Sequence, residues 1–106
     1  MKGRRLGEFE ELVLLAVRQL KDEASAISIK EVLAQTARRR ASMGAIYAAL
    51  DRMERKGLSA SRLVDAPEES PGRARRFYAV TEKGEAALAE SREVREALWM
   101  PLGEAG

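Results

Sequence analysis

The side chains able to do chemistry crowd between positions 38 and 83 of this 106-residue chain, and what they offer is positive charge rather than catalysis. That span holds eleven basic and six acidic residues, whereas 1–37 are balanced at six each and 84–106 carry two against five. The overall net charge of +2 averages over this asymmetry. The arginines fall in two groups, Arg38, Arg39 and Arg40 in one run and Arg73, Arg75 and Arg76 further along. Clustered arginines neutralise phosphates and release their counterions. A solvated charged face is the other reading of charge taken alone.

Catalysis finds no residues to carry it. The chain has neither cysteine nor histidine, which excludes disulfides, the usual zinc sites and every histidine-dependent triad. No nucleophile stands beside a base and no glycine-rich loop follows a strand. No enzyme, metal ion or cofactor is expected.

Between the two arginine groups lies SMGAIYAALDRMERKG, positions 42–57. Met43, Ile46, Tyr47, Leu50 and Met53 recur at helical spacing as an apolar stripe. Opposite them stand Ser42, Gly44, Ala45, Ala48, Ala49 and Arg52. Small side chains let a helix approach base edges closely, alanine methyls can meet thymine methyls, and Ser42 can reach a phosphate or a base. Alanine is also the best helix former, so these residues alone do not decide the matter. The flanking Arg38–Arg40 tip the balance towards DNA. Two roles stay open for Tyr47: its hydroxyl reaches a phosphate, or it bonds inside the core. In the hairpin, Arg75 and Arg76 fall on opposite faces of a strand, so at most one faces DNA directly. Glu68 and Glu69 oppose the charge of the same loop.

These residues need a frame, and the sequence supplies one. A first helix is expected over Glu8–Leu20, with Phe9, Leu12, Val13, Ala16, Val17 and Leu20 inward and acidic residues in its first turn. Leu14 and Leu15 widen its apolar face and leave room for a partner helix. Ser28 with Glu31 reads as a capping box opening a second helix that ends near Thr36, with Ala24–Ile27 extended before it. Ser42 caps the third helix, and Gly57 is placed for its left-handed C-terminal turn. Two-residue alternation predicts strands over Ser59–Val64 and Arg75–Val80, joined by a proline- and glycine-containing loop. Thr81 caps a last helix that Pro101 stops. Its residues Leu88, Ser91, Val94, Leu98 and Trp99 resemble a dimerisation seam that, with Leu14 and Leu15, would pair two subunits. Trp99 either anchors that interface or walls a flat ligand pocket.

The expected fold is mainly α with a small β-hairpin, a winged helix-turn-helix over 1–81 followed by a C-terminal dimerisation helix, 82–100, and a flexible tail, 101–106. No run approaches the roughly 20 apolar residues that span a membrane. The N-terminus turns acidic too soon for a signal peptide, so a cytoplasmic location is expected.

LGEFEELVLLAV at 6–17, GAIYAALDRMERKGL at 44–58 and GRARRFYAVTEKGEAAL at 72–88 resemble the PadR-like family of bacterial transcriptional regulators. The resemblance implies a homodimer in which the C-terminal helix packs on the first helix of the other subunit. It implies repression through an inverted repeat in double-stranded promoter DNA, with release by a small aromatic or drug-like effector. It places Ser42, Gly44, Ala45, Tyr47 and Ala48 on the recognition helix and Arg73, Arg75 and Arg76 on the basic wing. The alternative is a winged-helix interaction module whose basic face docks an acidic protein.

Overall fold

The computed structural model describes residues 6–65 and 74–103. Helix α1 spans Glu8–Leu20, a single 3₁₀ turn covers Lys21–Glu23, α2 spans Ala26–Thr36 and α3 spans Met43–Arg55. Strands β1, Ser59–Val64, and β2, Arg75–Val80, form an antiparallel hairpin, and α4 spans Glu82–Trp99. This is the mainly α winged helix expected from the sequence.

Each boundary has a local cause. The Gly7 N–H at the start of α1 donates to Glu10 Oε1 at 3.0 Å, and Glu8, Glu10 and Glu11 favour the positive helix end. Helix α2 begins three residues earlier than the Ser28–Glu31 pattern indicated. Ser25 is its cap: Ser25 Oγ accepts from the Ser28 N–H at 3.2 Å, and Ser28 Oγ accepts from the Ser25 N–H at 2.9 Å. A hydroxyl at the third helical position does what a glutamate does in the usual capping box. Ser42 Oγ accepts from the Ala45 N–H at 3.1 Å to start α3, and Gly57, at φ 80°, turns the chain out of it.

Helices α1, α2 and α3 bury Val13, Leu14, Val17, Ile29, Leu33, Ile46, Ala49, Leu50 and Met53 against one another, and Leu58, Tyr78 and Leu88 close the core. Each large apolar side chain so buried stabilises the fold by roughly 1.5–3 kcal/mol. Two assignments on α3 shift. Ala49, expected on the exposed side, is buried, because the inward arc runs 46–49–50–53. Tyr47, expected in the core stripe, flanks that arc and is half exposed. On α1, Leu14 is fully buried in its own core, whereas Leu15, turned by about 100°, faces out.

The hairpin pairs Ser59 with Val80 through Val64 with Arg75, and the Tyr78 N–H donates to the Ala24 carbonyl at 2.9 Å, so the segment before α2 borders β2. Helix α4 is fastened at its first turn. Thr81 Oγ1 donates to the Gly57 carbonyl at 2.7 Å and accepts from the Gly84 N–H at 3.0 Å. Glycine is required at 84, where a Cβ would overlap the Leu58 carbonyl oxygen and lie 2.8 Å from Val80 Cγ1. Ion pairs on either side of Leu88 hold α4 along α1, Arg18 Nε–Glu85 Oε1 before it and Arg95 Nη2–Glu11 Oε1 after it, both 2.9 Å. Among the described residues no helix is long and apolar enough to cross a membrane.

Candidate nucleic-acid interface

The turn between α2 and α3 carries the first arginine group. Arg38 adopts φ 54°, the left-handed region, as the chain leaves α2. The Arg39 N–H then donates to the Leu33 carbonyl at 2.9 Å. The Arg39 guanidinium lies 5.1 Å from the centre of the Phe9 ring of α1, a cation–π contact that leaves this side chain half-buried. Arg38 and Arg40 on either side are exposed.

From that turn α3 emerges with Ser42, Gly44, Ala45, Tyr47 and Ala48 exposed. The expected small-residue surface is therefore accessible, with the Tyr47 ring at its edge. Arg52, further along α3, is already engaged: its Nε donates to Glu10 Oε2 at 2.9 Å. Glu10 is 6% exposed and accepts from Lys56 Nζ at 3.1 Å as well. Burial alone would raise the Glu10 carboxyl, but the Gly7 N–H, Arg52 and Lys56 together hold it below the usual range.

Hairpin register separates the two described wing arginines. Arg75 stands opposite Val64 and Arg76 opposite Leu63, so they point to different faces, as the alternation required. Arg76 shares its face with Ser61 and Tyr78. Its Nη1 donates to Ser61 Oγ at 2.9 Å, and Ser61 Oγ donates to Glu54 Oε2 of α3 at 3.2 Å. Burial pushes the Tyr78 phenol up, Arg76 opposes that, and Tyr47, Glu54 and Asp51 add to it, so these groups meet where hairpin and α3 adjoin. A groove of about 980 Å³ runs between the α2 N-terminus, Tyr47 and β2, with Arg75 and Arg76 along it. Arg73, Glu68 and Glu69 lie outside the described residues.

The residues expected at a dimer seam divide. Leu14 and Leu88 pack in the core of their own chain and are withdrawn from a second subunit. Leu15 at 42%, Val94 at 55%, Leu98 at 80% and Trp99 at 87% exposure remain available, with Ser91 half-buried among them. Trp99, Leu98 and Arg95 border a shallow recess of about 160 Å³.

A family model described as the transcriptional regulator PadR-like family matches residues 14–90. The chain belongs to that family. Three solved structures share the fold. A PadR-like transcription factor from Bacteroides fragilis is 27% identical, with 85% of this chain and 82% of that one covered at a TM-score of 0.72. A PadR family regulator from Clostridium difficile is 24% identical, with 86% and 91% covered at 0.66. One from Eggerthella lenta is 24% identical, with 86% and 74% covered at 0.71. No curated protein matches the chain.

The PadR-like match takes in α2, α3, the hairpin and the first half of α4, and ends before Val94, Leu98 and Trp99. Three residues of this PadR-like chain without an expected role at this surface now stand out: Phe9 and Glu10, which meet Arg39 and Arg52 directly, and Glu54, which Arg76 reaches through Ser61. For Glu10 a signal existed, since positions 10, 13, 14 and 17 form one helical stripe that is otherwise apolar. The partnerships of Phe9 and Glu54 join residues distant in the chain, and no local pattern marks them.

Proposed function

We propose that the protein is a homodimeric transcriptional repressor that binds an inverted repeat in promoter DNA. One observation carries the reading: the exposed small-residue surface of Gly44, Ala45 and Ala48 is flanked by Arg38, Arg40 and Arg75, exposed cations with no partner among the described residues. The α3 N-terminus enters the major groove, and the unpartnered arginines grip phosphates on either side. The dimer forms through exposed apolar residues, Leu15 of α1 and Val94, Leu98 and Trp99 of α4, which a single chain leaves in water. Two recognition helices then lie about one helical turn of DNA apart. A small aromatic effector releases the DNA by seating beside the Trp99 indole, next to Arg95 and Leu98.

Enrichment of genomic fragments by the purified protein tests the reading. Recovery of fragments sharing an inverted repeat with half-sites about 10 base pairs apart supports it. Recovery of no common sequence sinks it and favours a basic face that docks an acidic protein.

A further inference from the structure

The six described candidate arginines differ in whether the protein already uses them. Arg39 is seated over the Phe9 ring, Arg52 is held by the buried Glu10 carboxylate, and Arg76 is tied through Ser61 to Glu54. Each link joins two parts of the DNA-reading head: the turn ahead of α3 to α1, the later half of α3 to α1, and the hairpin to α3. Arg38, Arg40 and Arg75 have no partner among the described residues.

We propose that Arg39, Arg52 and Arg76 are struts rather than phosphate contacts, and that Phe9 and Glu54 are positioning residues that fix how α3 and the hairpin are presented to DNA. The inference rests on the DNA-binding reading above. A guanidinium that leaves Glu10 for a phosphate gives up a charged hydrogen bond to a buried carboxylate and leaves it to Lys56 and the Gly7 N–H. Arg38, Arg40 and Arg75, by contrast, give up only side-chain freedom. A two-stranded hairpin has little stability of its own, so its angle to α3 depends on what ties it there. Base readout depends on that angle, because bidentate contacts to base edges are made in one geometry. Specificity should therefore depend on the struts, and the number of phosphate contacts should not.

Fluorescence anisotropy of the full chain on a mixed-sequence duplex of about three helical turns, across a salt series, counts phosphate contacts. Arg38→Ala, Arg40→Ala and Arg75→Ala each flatten the slope by about 0.9 per protomer bound, while Arg39→Met, Arg52→Met and Arg76→Met leave it unchanged. The same titration on the fragment enriched from genomic DNA reads positioning. Glu54→Ala and Phe9→Leu lower the ratio of specific to mixed-sequence binding about tenfold. Glu54→Gln, whose amide oxygen still accepts from Ser61, and Phe9→Tyr, which keeps the ring, restore it. Glu54 is exposed, so Glu54→Ala keeps the fold and carries the test if Phe9→Leu does not. Slopes flattened alike by all six arginine variants overturn the struts and leave the DNA-binding reading standing. If Glu54→Ala tightens both duplexes equally, Glu54 is a repelling charge and not a positioning residue. Wild-type protein with no salt-dependent binding overturns both readings.

Discussion

Glu10, in the first turn of α1, accepts a hydrogen bond at 2.9 Å from Arg52, in the last turn of α3, across 42 positions of sequence. The pair ties the last turn of α3 to the first turn of α1 and fixes the roll of α3 against it. Lys56, the residue that ends α3, joins the same carboxylate, so one buried acid holds two cations at the end of that helix.

The first prediction concerns pH. Because its partners hold the Glu10 carboxyl below its unfolded value, its contribution is fully present above the ordinary carboxylate pKa. It is lost as the pH falls through that lowered folded value. Glu10→Gln should cost about 1–3 kcal/mol in urea unfolding at pH 7 and less at pH 3. An equal loss at both pH values would show that the charge contributes nothing.

Gly84→Ala pits helix propensity against packing. Alanine favours a helix interior by about 1 kcal/mol over glycine. The new methyl would nevertheless overlap the Leu58 carbonyl oxygen, which is backbone and cannot swing aside. Net destabilisation of at least about 2 kcal/mol is expected in denaturant unfolding. A stabilised variant would contradict the close approach of α4 to the start of β1.

Lys21 ends α1 at φ 55° and ψ −122°, a backbone conformation that glycine adopts freely and lysine does not. Lys21→Gly relieves that strain but loosens the unfolded chain, and the first effect is the larger, at about 1–3 kcal/mol. A higher melting temperature is expected, and a lower one would count against this geometry.

Leu98 and Trp99 contribute almost nothing to the core of a single chain. Leu98→Glu should therefore leave the far-ultraviolet circular dichroism unchanged and turn the proposed dimer into a monomer in sedimentation velocity. A variant that stays dimeric would remove the last turns of α4 from the interface.

Much of this architecture could be read from residue order because its determinants are local. Ser59–Val64 and Arg75–Val80 announced themselves by alternation, and Thr81, Gly57 and Ser42 by cap and turn chemistry. The start of α2 escaped that reading because Ser25 and Ser28 are both good caps. The choice between them involves a distant residue, since the Ala24 carbonyl accepts from the Tyr78 N–H and is committed to the strand side. Leu14 and Leu15 looked alike in an apolar run, and only packing against the other helices separates them. The basic surface was legible as composition. Which of the described arginines are engaged was not, because Arg39 meets Phe9, Arg52 meets Glu10 and Arg76 reaches Glu54 through Ser61 only in the folded chain.

The most direct test of the central claim is anisotropy of the wild-type protein on its enriched genomic fragment at several salt concentrations, with stoichiometry measured alongside. With Arg38, Arg40 and Arg75 from each of two protomers on phosphates, log K should fall against log salt with a slope of about −5 or steeper, and saturation should come at two protomers per inverted repeat. Weak binding with a flat slope, the same on every duplex, would contradict the assignment of this surface to DNA.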